Sequence, residues 1–378
     1  MKVALVCDWY APRVGGIELH LHDLAARLTA AGHEVVVLTP TPGPAVVDGT
    51  RVVRIESPRA PHFGFLVTPG GVRALGQAIA DERPDVVHAH VSIISPAALG
   101  GARDADRRQL PLVVTFHSVV PQTRLLARVA GAALRTVRWR ACFSAVSARV
   151  ARDVQPIAPG RAIHPLPNGI DADFWRTGAA RVARPDDETT RLISVMRLNP
   201  KKRPLALVDM MRRLDELIEP ERRVELRIAG DGPWRARLER AIARAGLASR
   251  VELLGRQTRE QIRALFRRSD IFVLPTVRES FGLAALEARC AGVPVVAMRA
   301  SGVSELVEHD VHGLLASSDA ELAAHVARLA SDRARREAIA AENHRSTPPF
   351  DWRHVVEQHL ALYTKAIVER SESAPRYE

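Results

Sequence analysis

The chain has 378 residues, 47% of them hydrophobic, and a formal net charge of +11. This length and composition indicate two ordinary globular domains, each with its own core. Arginine is spread along the whole sequence among 43 acidic residues, so nucleic-acid binding is not favoured, whereas an anionic ligand or an anionic membrane surface suits the excess positive charge.

The cysteines and the lengths of the apolar runs indicate the cellular compartment of the protein. Cys7, Cys142 and Cys290 are widely spaced and form no C-x-x-C pair, so neither a disulfide framework nor a zinc site is indicated. The start MKVALVCDWY has too short an apolar run for a signal peptide, and no later run approaches the ~20 residues that span a bilayer. We expect a cytoplasmic protein, with peripheral contact to the inner face of the membrane as the alternative.

In the first half, short apolar runs alternate with helical stretches, which is the pattern of parallel α/β sheets. Strands are predicted at 3–7, 34–39, 52–55, 86–89, 112–116 and 143–146. Gly15-Gly16 follows the first strand and opens an amphipathic helix at 17–31, so the backbone of Gly16 could approach an anion closely. Two glycines after a strand are more often only a turn.

Three histidines fall at or near the ends of predicted strands of this half. His88, His90 and His117 have no known zinc-ligand spacing, and a hydrogen-bonded core histidine is the usual explanation for any one of them. His117 differs because it ends the very apolar strand VVTF and would face a ligand cleft.

Two Asp-x-Asp pairs, Asp104/Asp106 and Asp171/Asp173, could suggest a metal site for a nucleotide sugar. The first pair is predicted to lie in a charged loop, and the second directly after an Asn-Gly turn. We expect neither to bind a metal, because nearby cations can neutralise phosphates instead.

Residues 123–140 alternate arginines with apolar side chains in an amphipathic pattern. A surface helix packed on the first sheet is the more common role of such a pattern. Contact with anionic lipid is the alternative.

The second half repeats the α/β pattern after a polar segment without hydrophobic period. The predicted domains are 1–175 and 191–350, joined by a linker at 176–190. Strands of the second domain are predicted at 192–196, 225–229, 251–253, 271–274 and 294–297. A last helix at 351–370 follows the complete second domain and is expected to pack back on the first.

A basic cluster follows the first strand of the second domain. Arg197, Lys201, Lys202 and Arg203 would lie at the carboxyl end of that strand, where they could neutralise a diphosphate. A solvated basic loop is the alternative.

The stretch RESFGLAALEARCAGVPVV places Glu279 in a loop and Glu287 about two turns into the helix that follows. That helix is predicted to begin near Phe281 or Gly282 and to stop at Gly292. The carboxylates would be ~10 Å apart, wider than the ~5 to ~9.5 Å of a glycosidase pair. Because free N–H groups at the helix start favour a phosphate, the pattern indicates a ligand with hydroxyls, a phosphate and further hydroxyls.

Taken together, these motifs resemble one family. PTVRESFGLAALEARCAGVPVVA is similar to the Glu-x7-Glu signature of the retaining glycosyltransferases of family 4. The likeness extends through GGIELHLHDLAARLTAAGHEVVVLTP, PDVVHAH, VVTFHS, LPNGID, VMRLNPKKRP, IAGDGPWRARLE and SGVSELVEHDVHGLL. It implies the GT-B fold, two doubly wound Rossmann-like α/β domains facing each other across a cleft, with the acceptor on the first domain and the nucleotide sugar on the second.

The resemblance also implies roles for residues. Glu287 would hold the ribose hydroxyls, Glu279 the hydroxyls of the donor sugar, and His117 would lie beside the anomeric centre. Arg197 and Lys202 would bind the diphosphate. Backbone groups would complete the donor site, at Gly16, Ser280, Phe281, Gly282 and Leu283. Of these residues, His117, Glu279, Arg197 and Lys202 are the predicted catalytic set.

The implied reaction moves a hexose or N-acetylhexosamine from a nucleotide sugar to a small-molecule, glycan or lipid-linked acceptor hydroxyl, with retention and without metal or cofactor. Cations and the helix start would stabilise the leaving diphosphate. No carboxylate nucleophile is evident, which favours front-face attack. In the family, segment 255–260 faces the base, and this segment is interpreted as favouring a UDP-sugar over a GDP-sugar.

Two alternatives remain. One is a GDP-mannose-dependent mannosyltransferase with a lipid acceptor at the membrane surface. The other is a non-transferring relative, either a sugar-nucleotide epimerase or an inactive binding subunit. Met196 and the pair Arg289-Cys290 depart from the usual family residues, but neither departure removes a functional group.

Overall fold

The computed structural model describes residues 1–13, 15–56, 68–92, 95–118, 136–176 and 189–372. The chain forms two compact units, Met1–Gly169 with Trp352–Glu378, and Ile170–Asp351. The first division therefore falls after Gly169, earlier than the predicted boundary at 175. Most of the predicted linker lies outside the described residues, and its last two residues begin a strand, Thr189–Val195.

In the described part of the first unit, eight strands form one sheet in the order β3-β4-β2-β1-β5-β6-β7-β8. All neighbours pair in parallel except β3 and β4. The central strands are buried on both faces, which explains their nearly continuous apolar sequences. The strands are β1 (Lys2–Cys7), β2 (Glu34–Thr39), β3 (Val46–Val47), β4 (Thr50–Arg54), β5 (Val86–Val91), β6 (Leu112–Phe116), β7 (Cys142–Ala145) and β8 (Ile163–Pro165).

Helices that belong to the first unit come from both ends of the chain. They include α1 (Gly16–Ala30), α2 (Pro69–Glu82), α3 (Pro96–Arg107), α4 (Ala148–Val154) and, from the C-terminus, α12 (Trp352–Ser371). Helix α12 places Trp352, Val355 and Tyr363 in the same core cluster as Leu5 of β1 and Leu24 of α1. The C-terminal segment is therefore part of the first unit's core.

The second unit has a parallel sheet of six described strands in the order β11-β10-β9-β12-β13-β14. They are β9 (Thr189–Val195), β10 (Arg223–Ala229), β11 (Val251–Gly255), β12 (Ile271–Leu274), β13 (Val295–Met298) and β14 (Gly313–Ala316). The accompanying helices are α5 (Ala172–Arg176), α6 (Leu205–Leu217), α7 (Arg235–Arg244), α8 (Arg259–Phe266), α9 (Leu283–Cys290), α10 (Asp319–Ser331) and α11 (Arg333–Arg345).

The order of strands in the second sheet marks a ligand-binding edge. The chain passes from β9 outward to β10 and β11, and then returns to β12 on the other side of β9. The loops that leave the carboxyl ends of β9 and β12 therefore diverge, which opens a crevice at this edge. Lys202 follows β9 and Glu279 follows β12, so the topology places both residues at this point.

Two sequence predictions about local structure were wrong. Asp104 and Asp106 lie on helix α3, not in a loop, because Pro96 at its first turn and the alanines that follow favour a helix. Strands β3, β8 and β14 were missed because each has only two to four residues, too few to show a period. None of the described helices combines the length and the apolar character needed to cross a bilayer.

Candidate active site

The loop after β9 is held by the segment that follows β10. The backbone N–H of Met196 donates to the carbonyl of Ala229 at 3.0 Å, and that of Leu198 to the carbonyl of Asp231 at 3.0 Å. A Cβ atom on Gly230 would lie 1.8 Å from the carbonyl oxygen of Met196, so only glycine permits this approach. The motif IAGDG therefore shapes the loop that presents Arg197.

A short 3-10 turn then presents Lys202. Asn199 Oδ1 accepts from the backbone N–H of Lys202 at 3.0 Å. Arg203 follows in the left-handed region, with φ of 57°, and donates to the carbonyl of Pro275 (2.9 Å) and to Asp319 Oδ2 (2.6 Å). Arg203 thus ties the turn to the end of β12 and to Asp319, so within the predicted basic cluster its guanidinium has a structural role.

Lys202 and Glu279, from separate loops, form an ion pair. Lys202 Nζ lies 2.5 Å from Glu279 Oε2, and the two side chains are 26% and 13% exposed. The hydroxyl of Thr276 donates to the carbonyl of Lys202 at 3.3 Å, which joins the two loops a second time. Two residues predicted separately as diphosphate and sugar ligands are therefore in direct contact.

Arg197 is exposed and, within the described ranges, its guanidinium forms no ion pair. Its position on the loop after β9, ahead of Lys202, leaves the guanidinium available to an anion. A planar fork of this kind suits a phosphate better than a point charge does.

Helix α9 begins at Leu283, just after the predicted start near Phe281 or Gly282, with Gly282 as its N-cap in the left-handed region at φ of 103°. No side chain caps this end, and no acceptor in the described part of the chain binds the N–H groups of Leu283 and Ala284. Such free amides favour an anion. Glu287 lies on the second turn, closer to the helix start than predicted, and the left-handed Gly292 (φ of 76°) confirms the predicted stop.

The loop before α9, residues 279–282, which we call the Glu279 loop, is clamped by the 3-10 turn Gly302–Glu305. The N–H of Gly302 donates to the carbonyl of Glu279 at 2.9 Å. A Cβ on Gly302 would lie 2.2 Å from the carbonyl oxygen of Ser280, and one on Gly282 would lie 2.6 Å from Val303 Cγ2. The sequence motif SGVSEL contained this clamp, but its role was missed.

The side chain of Phe281 is packed inside the second unit, so this residue of the Glu279 loop offers only its backbone to a ligand. Its ring is buried and meets the ring of Phe350 edge to face, with the centroids 5.5 Å apart. This contact fixes the loop to the core of the second unit.

In the first unit, His117 belongs to a buried group of five histidines that we call the histidine cluster. Its members are His20, His88, His90, His117 and His359. His117 Nε2 lies 2.9 Å from His90 Nδ1, within hydrogen-bond distance. Burial lowers the pKa of His117 to about 3, so the ring is neutral at pH 7 and suited to hydrogen bonding rather than to carrying charge.

The remaining contacts of the cluster are structural. His88 Nδ1 lies 2.8 Å from the hydroxyl of Tyr363 on α12, and His88 Nε2 lies 2.6 Å from Thr115 Oγ1. Both of its ring nitrogens are thus occupied. The cluster joins α12 to the sheet of the first unit.

Beside Gly15 and Gly16 the structure places a carboxylate that the sequence analysis missed. A Cβ on Gly15 would lie 2.4 Å from Glu18 Oε2, and Glu18 Oε1 pairs with Arg13 Nε at 3.1 Å. A diphosphate near Gly16 would therefore meet a carboxylate that Arg13 already partly neutralises.

The Asp-x-Asp residues have structural roles, and Asp106 pairs with Arg370 from the C-terminal helix at 3.5 Å. Asp104 pairs with Arg108 one turn later at 2.6 Å, and Asp171 Oδ1 accepts from the N–H of Phe174 at 2.9 Å, as a helix cap does. Across the described ranges, no group of three or more histidine, cysteine or acidic side chains is arranged to hold a metal ion.

Comparisons with known proteins identify the family. Residues 14–174 match the model of Glycosyltransferase Family 4, and residues 179–346 match that of Glycosyl transferases group 1. The whole chain is 32% identical over 417 aligned residues to a glycogen synthase of Mycobacterium tuberculosis, and covers 97% of it. The chain belongs to the family 4 glycosyltransferases.

Solved structures of other glycosyltransferases share the fold of this enzyme. Sucrose-phosphate synthase from Thermosynechococcus elongatus matches with a TM-score of 0.76 and 20% identity, over 97% of this chain and 99% of that chain. Anabaena HepE in complex with UDP-glucose matches with a TM-score of 0.75 and 22% identity, over 97% and 100% of the two chains. The predicted GT-B fold of two Rossmann-like α/β domains is confirmed.

The glycosyltransferase divides its predicted site residues between the two units. Arg197, Lys202, Glu279 and Glu287 lie with the 280–283 backbone in the second unit, at the edge marked by β9 and β12. Gly16 and His117 lie in the first unit. Most of the amphipathic stretch 123–140 lies outside the described residues.

Proposed function

We propose that this enzyme is a metal-independent, retaining glycosyltransferase that moves a hexose or N-acetylhexosamine from a UDP-sugar to an acceptor hydroxyl. The observation that carries the proposal is the meeting of Lys202, Glu279 and the uncapped start of α9 at one edge of the second unit's sheet. A cation, a carboxylate and free amides side by side suit a phosphate bonded to a sugar.

The donor lies on these groups in a fixed order. Lys202, Arg197 and the first amides of α9 bind the diphosphate, while Glu279 accepts hydrogen bonds from hydroxyls of the sugar. Glu287, on the second turn of α9, holds the ribose on the other side of the phosphates. The role of His117 beside the sugar rests on the family resemblance alone.

The same groups promote departure of the diphosphate. Negative charge develops on the leaving phosphate as the C1–O bond breaks, and Lys202, Arg197 and the helix start stabilise that charge. The acceptor hydroxyl attacks from the same face and transfers its proton to the departing phosphate, so the sugar keeps its anomeric configuration. Since side-chain cations balance the phosphate charge, no metal is required.

One observation supports a uracil rather than a guanine base. HepE, which shares the fold, was solved with UDP-glucose. In this enzyme the Arg259 guanidinium lies over the rings of Phe174 (5.3 Å) and Trp175 (5.8 Å). These contacts hold Arg259 in the segment assigned to the base and do not distinguish uracil from guanine. GDP-mannose is the competing donor.

The proposal is tested by binding and donor hydrolysis in the presence of EDTA. Calorimetry with UDP and GDP identifies the nucleotide, and slow hydrolysis of UDP-glucose, UDP-GlcNAc or GDP-mannose identifies the sugar, with the product anomer read by NMR. Lys202→Ala should weaken UDP binding by roughly 1.5 to 3 kcal/mol, the scale of a charge-assisted hydrogen bond. Arg213→Ala, which removes an exposed charge from α6 of the same unit, is the control.

Three results would count against the proposal. Equal UDP affinity in the wild type and Lys202→Ala would make the basic cluster a solvated loop. Activity that requires Mn²⁺ or Mg²⁺ would overturn the metal-free reaction. Conversion of the bound sugar without release of a nucleoside diphosphate would favour an epimerase.

A further inference from the structure

Helix α9 carries a buried arginine that the proposed chemistry does not use. Arg289 lies on its last turn, is 6% exposed, and stands among apolar neighbours such as Leu286 and Cys290. Within the described residues it makes no ion pair closer than 4.0 Å, and its Nε has no hydrogen-bond partner. A buried charge without a carboxylate in direct contact is costly, whereas an apolar side chain of similar length would pack there without that cost.

The guanidinium is bound by neutral acceptors from two later segments of the chain. Nη1 donates to the carbonyl of Leu306 at 2.5 Å. Nη2 donates to His312 Nε2 at 3.0 Å and to Ser346 Oγ at 3.3 Å. These contacts fix the position of Leu306 relative to the end of α9.

Leu306 directly follows the turn that clamps the Glu279 loop. Its own N–H donates to the carbonyl of Val303 at 2.9 Å, inside the turn. The same turn binds the carbonyl of Glu279 through the N–H of Gly302 and fills the space beside Gly282 with Val303. The end of α9 is therefore connected, through Arg289 and the turn, to the loop at the start of α9.

We infer that Arg289 is a positioning residue that holds the Gly302–Glu305 turn, and through it the Glu279 loop, in the geometry that places Glu279 on the donor. The inference rests on the proposed function only in assigning Glu279 to the donor sugar. Its structural part, the restraint of the turn and the loop by Arg289, stands on the hydrogen bonds alone.

Arg289→Met and the matched control Arg336→Met separate positioning from general stabilisation. Arg336 is also buried, and its Nη1 donates to the carbonyl of Leu329 at 2.5 Å, but this carbonyl lies near the end of α10 rather than beside the Glu279 loop. Hydrogen exchange should show amides in 279–283 and 300–307 exchanging at least tenfold faster in Arg289→Met. In Arg336→Met these segments should exchange as in the wild type.

Kinetics supply the second measurement. With the nucleotide sugar that the wild type hydrolyses, Arg289→Met should lower kcat at least tenfold, because Glu279 contacts the sugar, and should also weaken UDP binding, because the backbone of 280–283 in the same loop is assigned to the diphosphate. Arg336→Met should retain kcat at a temperature where both variants are folded. If Arg289→Met does not fold, Arg289→Lys is measured instead, since a single ammonium cannot span Leu306 and His312 together.

The outcomes distinguish this inference from the proposed function. Equal exchange of the two segments in both variants would overturn the restraint, whatever the donor is. Faster exchange with unchanged kcat would overturn the assignment of the restraint to catalysis. A wild-type protein that neither binds UDP or GDP nor hydrolyses a nucleotide sugar would defeat the proposed function, and the exchange comparison would still decide the restraint.

Discussion

At the scale of single side chains, the ion pair between Lys202 and Glu279 competes with the ligand for both residues. A free diphosphate must draw Lys202 away from Glu279, whereas a nucleotide sugar offers Glu279 its own hydroxyls in return. Glu279→Ala should therefore bind UDP as tightly as the wild type or up to about fivefold more tightly, since a partly exposed pair contributes up to ~1 kcal/mol. Its kcat/KM should fall on the order of 10² through loss of a contact that strengthens in the transition state. Calorimetry and steady-state kinetics measure the two effects.

Glu287 should behave in the opposite way, because the ribose is present in both UDP and the intact donor. Glu287→Ala should weaken both ligands by a similar factor, on the order of tenfold for one charged hydrogen bond. Calorimetry with UDP and steady-state kinetics on the two variants distinguish the roles of the two glutamates. Equal losses of UDP affinity in the Glu279 and Glu287 variants would show that the order of the ligand along α9 is wrong.

Between elements, the contact of the Gly302 turn with the Glu279 loop is too close for any side chain. Gly302→Ala would bring a Cβ to 2.2 Å from the carbonyl oxygen of Ser280, so the loop must shift. We expect kcat/KM to fall more than tenfold. Gly246→Ala is the control: it has positive φ but open space, so it should cost ~1 to ~2 kcal/mol of stability without loss of activity. Kinetics and thermal denaturation of both variants provide the measurement, and equal activity in the two would refute the contact.

At this scale the sequence predicts elements better than the contacts between them. The start and stop of α9 follow from Gly282 and Gly292, whose local chemistry is visible in the sequence. The clamp by Gly302 and the restraint by Arg289 join residues about twenty positions apart in sequence. They depend on how β13 and the following turn pack. The hydrophobic periodicity of the sequence does not predict that packing.

For the molecule as a whole, the alternation of strands and helices predicts two Rossmann-like domains, but not the histidine cluster. His88 and His90 are two apart on β5 and share one face of the strand. His20 and His359 come from helices at opposite ends of the chain, and the order of strands β1, β5 and β6 brings their neighbours together. Only the tertiary structure reveals that five imidazoles share one buried volume.

This cluster makes the first unit sensitive to acid. Burial lowers the pKa of every member, to about 3 for His117 and about 4 for His359, whereas an unfolded histidine titrates near ~6.5. Below that pH the unfolded chain binds more protons than the folded one, so stability falls as the pH drops from ~6.5 toward the folded values. Burial raises the pKa of Asp8 to about 7, which acts in the opposite direction, but as one group against five.

The free energy of unfolding of the first unit should therefore decrease between pH 7 and pH 5, by up to ~1.4 kcal/mol per pH unit for each buried histidine. Urea denaturation at several pH values measures this slope. Hydrogen exchange of segments from each unit shows which unit loses stability. His359→Gln should reduce the slope, because one buried imidazole is lost. His354→Gln removes an exposed histidine from the same helix and should leave the slope unchanged. If both variants kept the wild-type slope, the acid sensitivity would have to come from groups outside the cluster.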